Sequence, residues 1–223
     1  MNLALFDLDN TLLAGDSDVA WNDFIGRKGV VDAVAHSQQN AQYYQDYQNG
    51  TLDIQAFLGF CLAPFARLTA PELAALLAEF LHEEILPMIT LAARAEIARH
   101  QAEGAVVAII TATNRIVTTP IAAELGVAHL IATEAEFVDG RYTGRALGTP
   151  CFQAGKIVCL DAWLAKENLG WTDFAQTWFY SDSRNDIPLL ERVSHPVAVN
   201  ADPTLHAHAL AQGWRTLNLC GEG

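Results

Sequence analysis

Leu3-Ala4-Leu5-Phe6-Asp7-Leu8-Asp9-Asn10-Thr11-Leu12 is the stretch on which the fold turns. Four apolar residues in a row, closed at once by two acids, read as a short strand buried on both faces whose end emerges at a surface. The chain on either side of that reading differs in texture. From Asp18 to about Glu84 it is helical, with few β-branched residues. Asn49-Gly50 marks a turn there, and Thr69-Ala70-Pro71-Glu72 carries a capping box ahead of Leu73, Leu76, Leu77 and Phe80 on one helical face. Beyond Pro87 apolar runs alternate with helices. The pattern predicts helices over about 90–103, 116–125, 154–168, 186–193 and 203–212. It predicts strands over about 105–110, 129–132, 177–180, 196–199 and 214–219, with a hairpin turn at Asp139-Gly140.

Strands alternating with helices imply a parallel sheet covered on both faces. The expected fold is α/β, a Rossmann-like doubly wound parallel sheet core with an inserted all-helical cap. Residues 1–14 and 86–223 form the core and 15–85 the cap. A chain of 223 residues, half of them hydrophobic, can bury such a core.

The formal net charge of -13, with no cluster of Lys and Arg, argues against nucleic acid or an anionic membrane as partner. No apolar run has the length of a membrane span, and the N-terminal run ends in acids rather than following a basic region. Cys61, Cys151, Cys159 and Cys220 have neither C-x-x-C nor zinc spacing and read as reduced thiols. A cytoplasmic protein acting on a small molecule is expected.

Three apolar strands end in reactive residues: Asp7 and Asp9 after the first, Thr111 after Val106–Ile110, and Ser181-Asp182 after Trp178–Tyr180, with Asp186 four residues on. Ligands bind beyond the carboxyl ends of parallel strands, so these ends should meet in one crevice. Lys156, just after Gly155 at a helix start, is a fourth candidate. Carboxylates that converge repel one another unless a cation intervenes. Mg²⁺ takes two or three protein oxygens and keeps room for a phosphate. Each residue alone has an ordinary reading: a solvated loop acid, a strand-end hydroxyl, a surface lysine, a helix-start acid. Their order and common placement carry the joint reading. His206-x-His208 reads as solvated, because residues two apart on a helix point in different directions. The five tryptophans read as core or cap packing, with Trp21, one helical turn beyond Asp18 in the expected cap, the exception to watch.

In this order the motifs resemble the haloacid dehalogenase superfamily. Phe6-Asp7-Leu8-Asp9-Asn10-Thr11-Leu12 looks like its first signature, Ile109-Ile110-Thr111-Ala112-Thr113 its second, Lys156 its third and Ser181-Asp182-Ser183-Arg184-Asn185-Asp186 its fourth. The insert resembles the cap of the branch near phosphoserine phosphatase, and Leu13-Ala14-Gly15-Asp16-Ser17-Asp18 resembles subfamily IB hydrolases. Ser181 departs from the glycine many members carry there.

The resemblance implies a Mg²⁺-dependent phosphomonoester hydrolase. Asp7 attacks phosphorus and Asp9 serves as acid and base. Asp7, the Asp9 backbone carbonyl and Asp182 bind the metal. Thr111, the Ala112 N–H and Lys156 hold the phosphoryl oxygens, Asp186 orients Lys156 or a metal-bound water, and Asn185 supports the loop. An acidic residue at the place of Asp16 reads the substrate's amino group in phosphoserine phosphatase. Asp16 and Asp18 therefore point to an amino-alcohol phosphate such as histidinol phosphate or phosphoserine, against the plainer reading of Asp16 as a helix cap. A phospho-accepting receiver module places similar residues at strand ends but needs no insert of some 70 residues over its site. A phosphomutase keeps both acids and stays open on this pattern.

Overall fold

The computed structural model describes residues 1–221. Seven strands form one sheet in the order β4-β3-β2-β1-β5-β6-β7, with β1 (Asn2–Phe6) at its centre. Its neighbours are β2 (Val106–Asn114) and β5 (Gln176–Ser181), both parallel to it. Beyond them lie β3 (His129–Val138) on one side and β6 (His195–Val199) with β7 (Arg215–Leu217) on the other, all parallel. Only β4 (Arg141–Leu147) runs antiparallel, joined to β3 through Asp139 and Gly140, both at positive φ. Phe6 stands level with Ile109 and Tyr180, so three strand ends finish at one height.

Successive residues of β1 face opposite sides, as the two-residue period requires. Ala4 and Phe6 join one apolar cluster, Leu3 and Leu5 the other. The first cluster takes in α5 (Leu91–Ala102), α6 (Arg115–Glu124) and the inserted helices: α1 (Ser17–Arg27), α3 (Ile54–Leu62) and α4 (Ala70–Phe80). The remaining inserted helix, α2 (Ala33–Asn49), buries Asn40 alone. The second cluster takes in α7 (Gly155–Lys166), α8 (Ile187–Leu190) and α9 (Pro203–Gln212). The chain leaves for the insert and returns side by side: Leu13 bridges Ile89, and the Ala14 N–H donates to the Met88 carbonyl at 2.8 Å. Trp21 stacks on Phe65 at 5.6 Å and meets Phe80 edge-on at 5.1 Å, so it is packing rather than crevice.

Local signals behave as the residues predict. Thr69 and Glu72 close the capping box of α4, and Gly50 ends α2 at φ 75°. Two elements differ. The segment near 186–193 is a 3₁₀ turn over Arg184–Asp186 and a one-turn helix, because Ser183 caps the turn and Pro188 sits in the short helix's first turn. β2 runs past Thr111 to Asn114. Its ladder with β3 steps from Thr111↔Ala132 to Asn114↔Thr133, so Ala112 and Thr113 bulge out of register. The Thr133 hydroxyl anchors this bulge on the Ala112 carbonyl at 2.7 Å. Among the described residues no helix is long and apolar enough to cross a membrane.

Candidate active site

The chain turns sharply after β1. Leu12 and Leu13 N–H both donate to the Leu8 carbonyl, and Asn10 takes φ 54°, which asparagine tolerates. The turn leaves Asp7 at the mouth of the sheet, 8% exposed, with its N–H on the Tyr180 carbonyl. Lys156 Nζ lies 3.0 Å from Asp7 Oδ1 and 2.6 Å from Asp186 Oδ2. The lysine reaches them because α7 starts tight against the preceding loop: a Cβ at Gly155 would sit 2.1 Å from the Pro150 carbonyl oxygen. Ser181 Oγ donates to Asp186 Oδ2 at 2.7 Å and accepts from the Ser183 N–H. The serine that departs from the family pattern thus supplies a second donor to Asp186. Gln153 donates to Asn185 Oδ1 at 3.0 Å, tying the fourth motif to the loop before α7. Asp182 Oδ1 accepts from the Thr11 hydroxyl at 3.1 Å.

These acids share one cation. Burial pushes the Asp7 carboxyl up to about 7; Lys156 opposes this, while Asp186 and Asp9 add to it. Burial, then Asp7 and Asp186, hold Asp182 well above the usual carboxylate range. Burial alone would lower the Lys156 ammonium, but Asp186 and Asp7 outweigh it and hold it above the usual lysine range.

A second acidic group lies on the insert side. Asp9 Oδ1 accepts from the Ser17 N–H at 2.6 Å and Oδ2 from the Thr113 hydroxyl at 2.8 Å. Asp18 Oδ2 is 3.0 Å from the same hydroxyl. Asp16 caps α1, accepting from the Val19 N–H at 3.0 Å. Burial, then the Asp9 charge, pushes Asp16 up to about 7; burial, then Asp16 and Asp9, pushes Asp18 well up. This group has hydroxyl and backbone donors but no Lys or Arg contact.

Both groups line one cleft of about 710 Å³, its mouth included. Asp7, Asp9, Asp16, Asp18, Thr111, Ala112, Lys156, Asn185 and Asp186 all face it, whereas Asp182 lines an adjoining opening beside Asn10. Thr111 Oγ1 accepts from the Thr113 N–H, which leaves its proton free to donate. The far wall comes from the insert: Asn40, Tyr43, Tyr44 and Tyr47 on α2, then Leu52, Ile54 and Phe57. Tyr47 donates to Ser183 Oγ at 2.9 Å, and Arg184 donates to the Gln48 carbonyl at 2.6 Å. Sequence reasoning missed these tyrosines and Thr113. Tyr43-Tyr44-x-x-Tyr47 on an otherwise polar helix was a usable signal, since aromatics without an apolar face to join need another reason to be there.

Residues 4–191 match the haloacid dehalogenase-like hydrolase family. The chain belongs to it. It is 47% identical, over 97% of its length and 98% of the relative's, to a histidinol-phosphatase of Neisseria meningitidis serogroup C (strain 8013). The chain is a phosphatase of this family. Its fold is similar to that of a protein of unknown function from Bordetella pertussis Tohama I, with TM-score 0.93, 46% identity and 98% of each chain covered. It also resembles a phospho-aspartyl intermediate analogue of phosphoserine phosphatase at TM-score 0.67, covering 97% of this chain and 92% of that one; at 20% identity this likeness concerns the fold alone.

Proposed function

We propose that this phosphatase hydrolyses a small phosphate monoester that carries an amine and no second anion, with histidinol phosphate the leading candidate. One observation carries the choice. Among the described residues Lys156 is the sole Lys or Arg lining the cleft and is committed to Asp7 and Asp186, while Asp9, Asp16 and Asp18 line it without a Lys or Arg partner. A substrate ammonium would supply the missing charge through charge-assisted hydrogen bonds. The carboxylate of phosphoserine would meet these acids with no basic partner. The Lys and Arg residues of the insert are elsewhere: Arg27 pairs with Glu84, Lys28 with Glu79 and Glu83, and Arg67 does not line the cleft. The relative from Neisseria bears the same activity in its name.

In this reading Asp7 attacks phosphorus to form an aspartyl-phosphate. Asp9 gives a proton to the leaving alcohol, then takes one from the attacking water. Thr111, the Ala112 N–H and Lys156 hold the phosphoryl oxygens as charge shifts between them. Asp186 and Ser181 fix Lys156, and Asn185 steadies their loop. The insert, residues 15–85, acts as the cap that excludes stray water.

The donor set suits Mg²⁺. Lys156 pairs with Asp7 and Asp186 and does not contact Asp182, and burial, with the neighbouring acids adding to it, raises Asp7 and Asp182. The expected ligands are two carboxylates and the Asp9 backbone carbonyl, hard oxygen donors that leave sites for water and phosphate. Among the described residues no group of three or more His, Cys, Asp or Glu side chains is placed to hold a metal ion, so the proposed set has two carboxylates and one backbone oxygen. Bound there, Mg²⁺ would cancel the repulsion between Asp7 and the phosphate.

Steady-state kinetics on histidinol phosphate and phosphoserine test the reading. We expect kcat/KM to favour histidinol phosphate by about 100-fold, as a missing charge pair at a buried site implies. Activity should vanish in EDTA and return with Mg²⁺. Equal rates on both esters would remove the charge argument, and full activity in EDTA the metal.

A further inference from the structure

Thr113 belongs to no role assigned so far, yet its hydroxyl stands between two carboxyls, 2.8 Å from Asp9 Oδ2 and 3.0 Å from Asp18 Oδ2. A hydroxyl has a single proton to donate and lone pairs to accept with. It can therefore donate to only one of these oxygens. The other contact is a hydrogen bond only when that carboxyl brings a proton of its own and donates to Thr113. Without it, two buried oxygens would face each other's lone pairs across 3 Å or less, at a cost no cation relieves. Asp18 is 7% exposed, and its other oxygen receives only a long 3.4 Å contact from Asn114 Nδ2.

Two structural features bring the three groups together. The bulge in β2 lifts Thr113 out of the ladder and turns it toward the cleft. Helix α1 carries Asp18, and its first residue, Ser17, also places its N–H on Asp9 Oδ1. Asp9 is thereby gripped on one oxygen by α1 directly and on the other by α1 through Thr113.

We infer that Thr113 and Asp18 form a hydrogen-bonded chain that positions the carboxyl of Asp9. Toward Asp9, Asp18 is a positioning residue: it acts through Thr113 and not on the reacting atoms. The chain fixes the rotation of the Asp9 carboxyl about its Cβ–Cγ bond, so the acid faces the leaving oxygen rather than exploring the cleft. Because α1 supplies one grip and, through Asp18, sets the other on Thr113 of β2, Asp9 is fully held only while the first helix of the insert is seated. The inference rests on the proposed role of Asp9 as acid and base.

Its test is the dependence of kcat/KM on the leaving group, because kcat/KM ends with loss of the alcohol and leaves out hydrolysis of the aspartyl-phosphate, in which Asp9 serves every ester alike. A poor alkoxide leaving group needs the proton from Asp9, and an activated aryl oxide needs it far less. Thr113→Val should lower kcat/KM for alkyl phosphates without an amine by about 10–100-fold and for p-nitrophenyl phosphate by less than about 3-fold, a share of what a general acid contributes. Thr113→Ser should restore the alkyl rates. Asp18→Ala should behave as Thr113→Val does, and Asp18→Asn, whose amide still donates to Thr113, should recover most of its loss. The double variant Thr113→Val/Asp18→Ala should lose no more than either single one, since both break one chain. Equal losses on alkyl and aryl esters, or additive losses in the double variant, would overturn the inference. Asp9→Asn is the control. A leaving-group effect in Asp9→Asn but not in Thr113→Val rejects this chain alone, whereas no such effect in Asp9→Asn rejects the acid–base reading beneath it. Should Thr113→Val fail to fold, Asp18→Asn against Asp18→Ala carries the same contrast.

Discussion

The floor of the cleft is laid by strand ends. Asp7, Thr111, Thr113, Ser181 and Asp186 are short side chains on or just after β1, β2 and β5, and each is held by another polar group or by the backbone. The roof comes from α2 and the segment behind it. There Tyr43, Tyr44, Tyr47 and Phe57 present long aromatic side chains, and the Tyr47 hydroxyl is bonded to the floor through Ser183. Short groups on a rigid sheet suit charge that must be met in one fixed geometry. Amphipathic aromatics on a single helix suit recognition of a substrate body, because they offer apolar faces with polar tips. The contrast assigns chemistry to the floor and substrate choice to the roof.

The largest expected effect breaks the floor. Asp7→Asn should lower kcat by on the order of 10⁴-fold or more, as removal of a nucleophile does. It should do so on every ester, amine-bearing or not. Its thermal unfolding should not fall. Burial outweighs the pairing with Lys156, and Asp186 and Asp9 add to it, so the Asp7 carboxyl is raised to about 7 and a neutral isostere removes a net penalty on its charge in the metal-free protein. Activity of metal-replete Asp7→Asn within tenfold of wild type would remove Asp7 as nucleophile.

Floor and roof were also unequally legible. The floor's main residues stand at fixed places along the chain: acids directly after an apolar run, a hydroxyl after the next, a lysine after a glycine at a helix start. That order follows from a parallel sheet, so reading the sheet places the residues. Thr113 escaped because the slip between Thr111 and Asn114 has no mark in the sequence; it arises from how β2 meets β3. Ser181 stands out in the sequence only as a departure from glycine; its bond to Asp186 depends on the fold of the loop after β5. Trp21 stands out by its helical spacing from Asp18, and Phe24, Phe65 and Phe80 enclose it as packing. Roof contacts cross great sequence distances, as from Tyr47 to Ser183, and depend on how the insert folds back. Periodicity reports which face of a helix is apolar, and α2 has almost none to report.

A smaller effect tests how the roof is tied down. Tyr47→Phe keeps the aromatic wall and removes the bond to Ser183. A part-buried hydrogen bond of this kind is worth about 1 kcal/mol. We expect kcat/KM to fall about 5-fold, mostly through KM, and equally for alkyl and aryl esters. A loss that grows with leaving-group pKa would place Tyr47 in the proton chemistry and blur the division between floor and roof.

The smallest change sharpens the boundary itself, where Asp16 belongs to both. It caps α1, an ordinary structural duty, and it also lines the cleft beside Asp9. Asp16→Asn separates the two duties, because asparagine caps helices about as well as aspartate. Burial and the Asp9 charge raise the folded-state carboxyl of Asp16 to about 7, from 3.8 when unfolded. The folded protein therefore binds more protons than the unfolded chain between these values, and its stability falls as pH rises through that window. Asparagine carries no such charge. The free Asp16→Asn protein should melt higher than wild type above pH 7, and the advantage should shrink toward pH 4. If Asp16 reads the substrate ammonium, the same variant should lose about tenfold in kcat/KM on the amine ester and almost nothing on p-nitrophenyl phosphate. Gain of stability with loss of selectivity is the signature of a charge kept for binding at the expense of folding. Gain of stability with both esters unaffected would leave Asp16 a helix cap and shift the ammonium to Asp18 or Asp9. A lower melting point at every pH would show that the carboxylate, and not merely its oxygen, holds the end of α1.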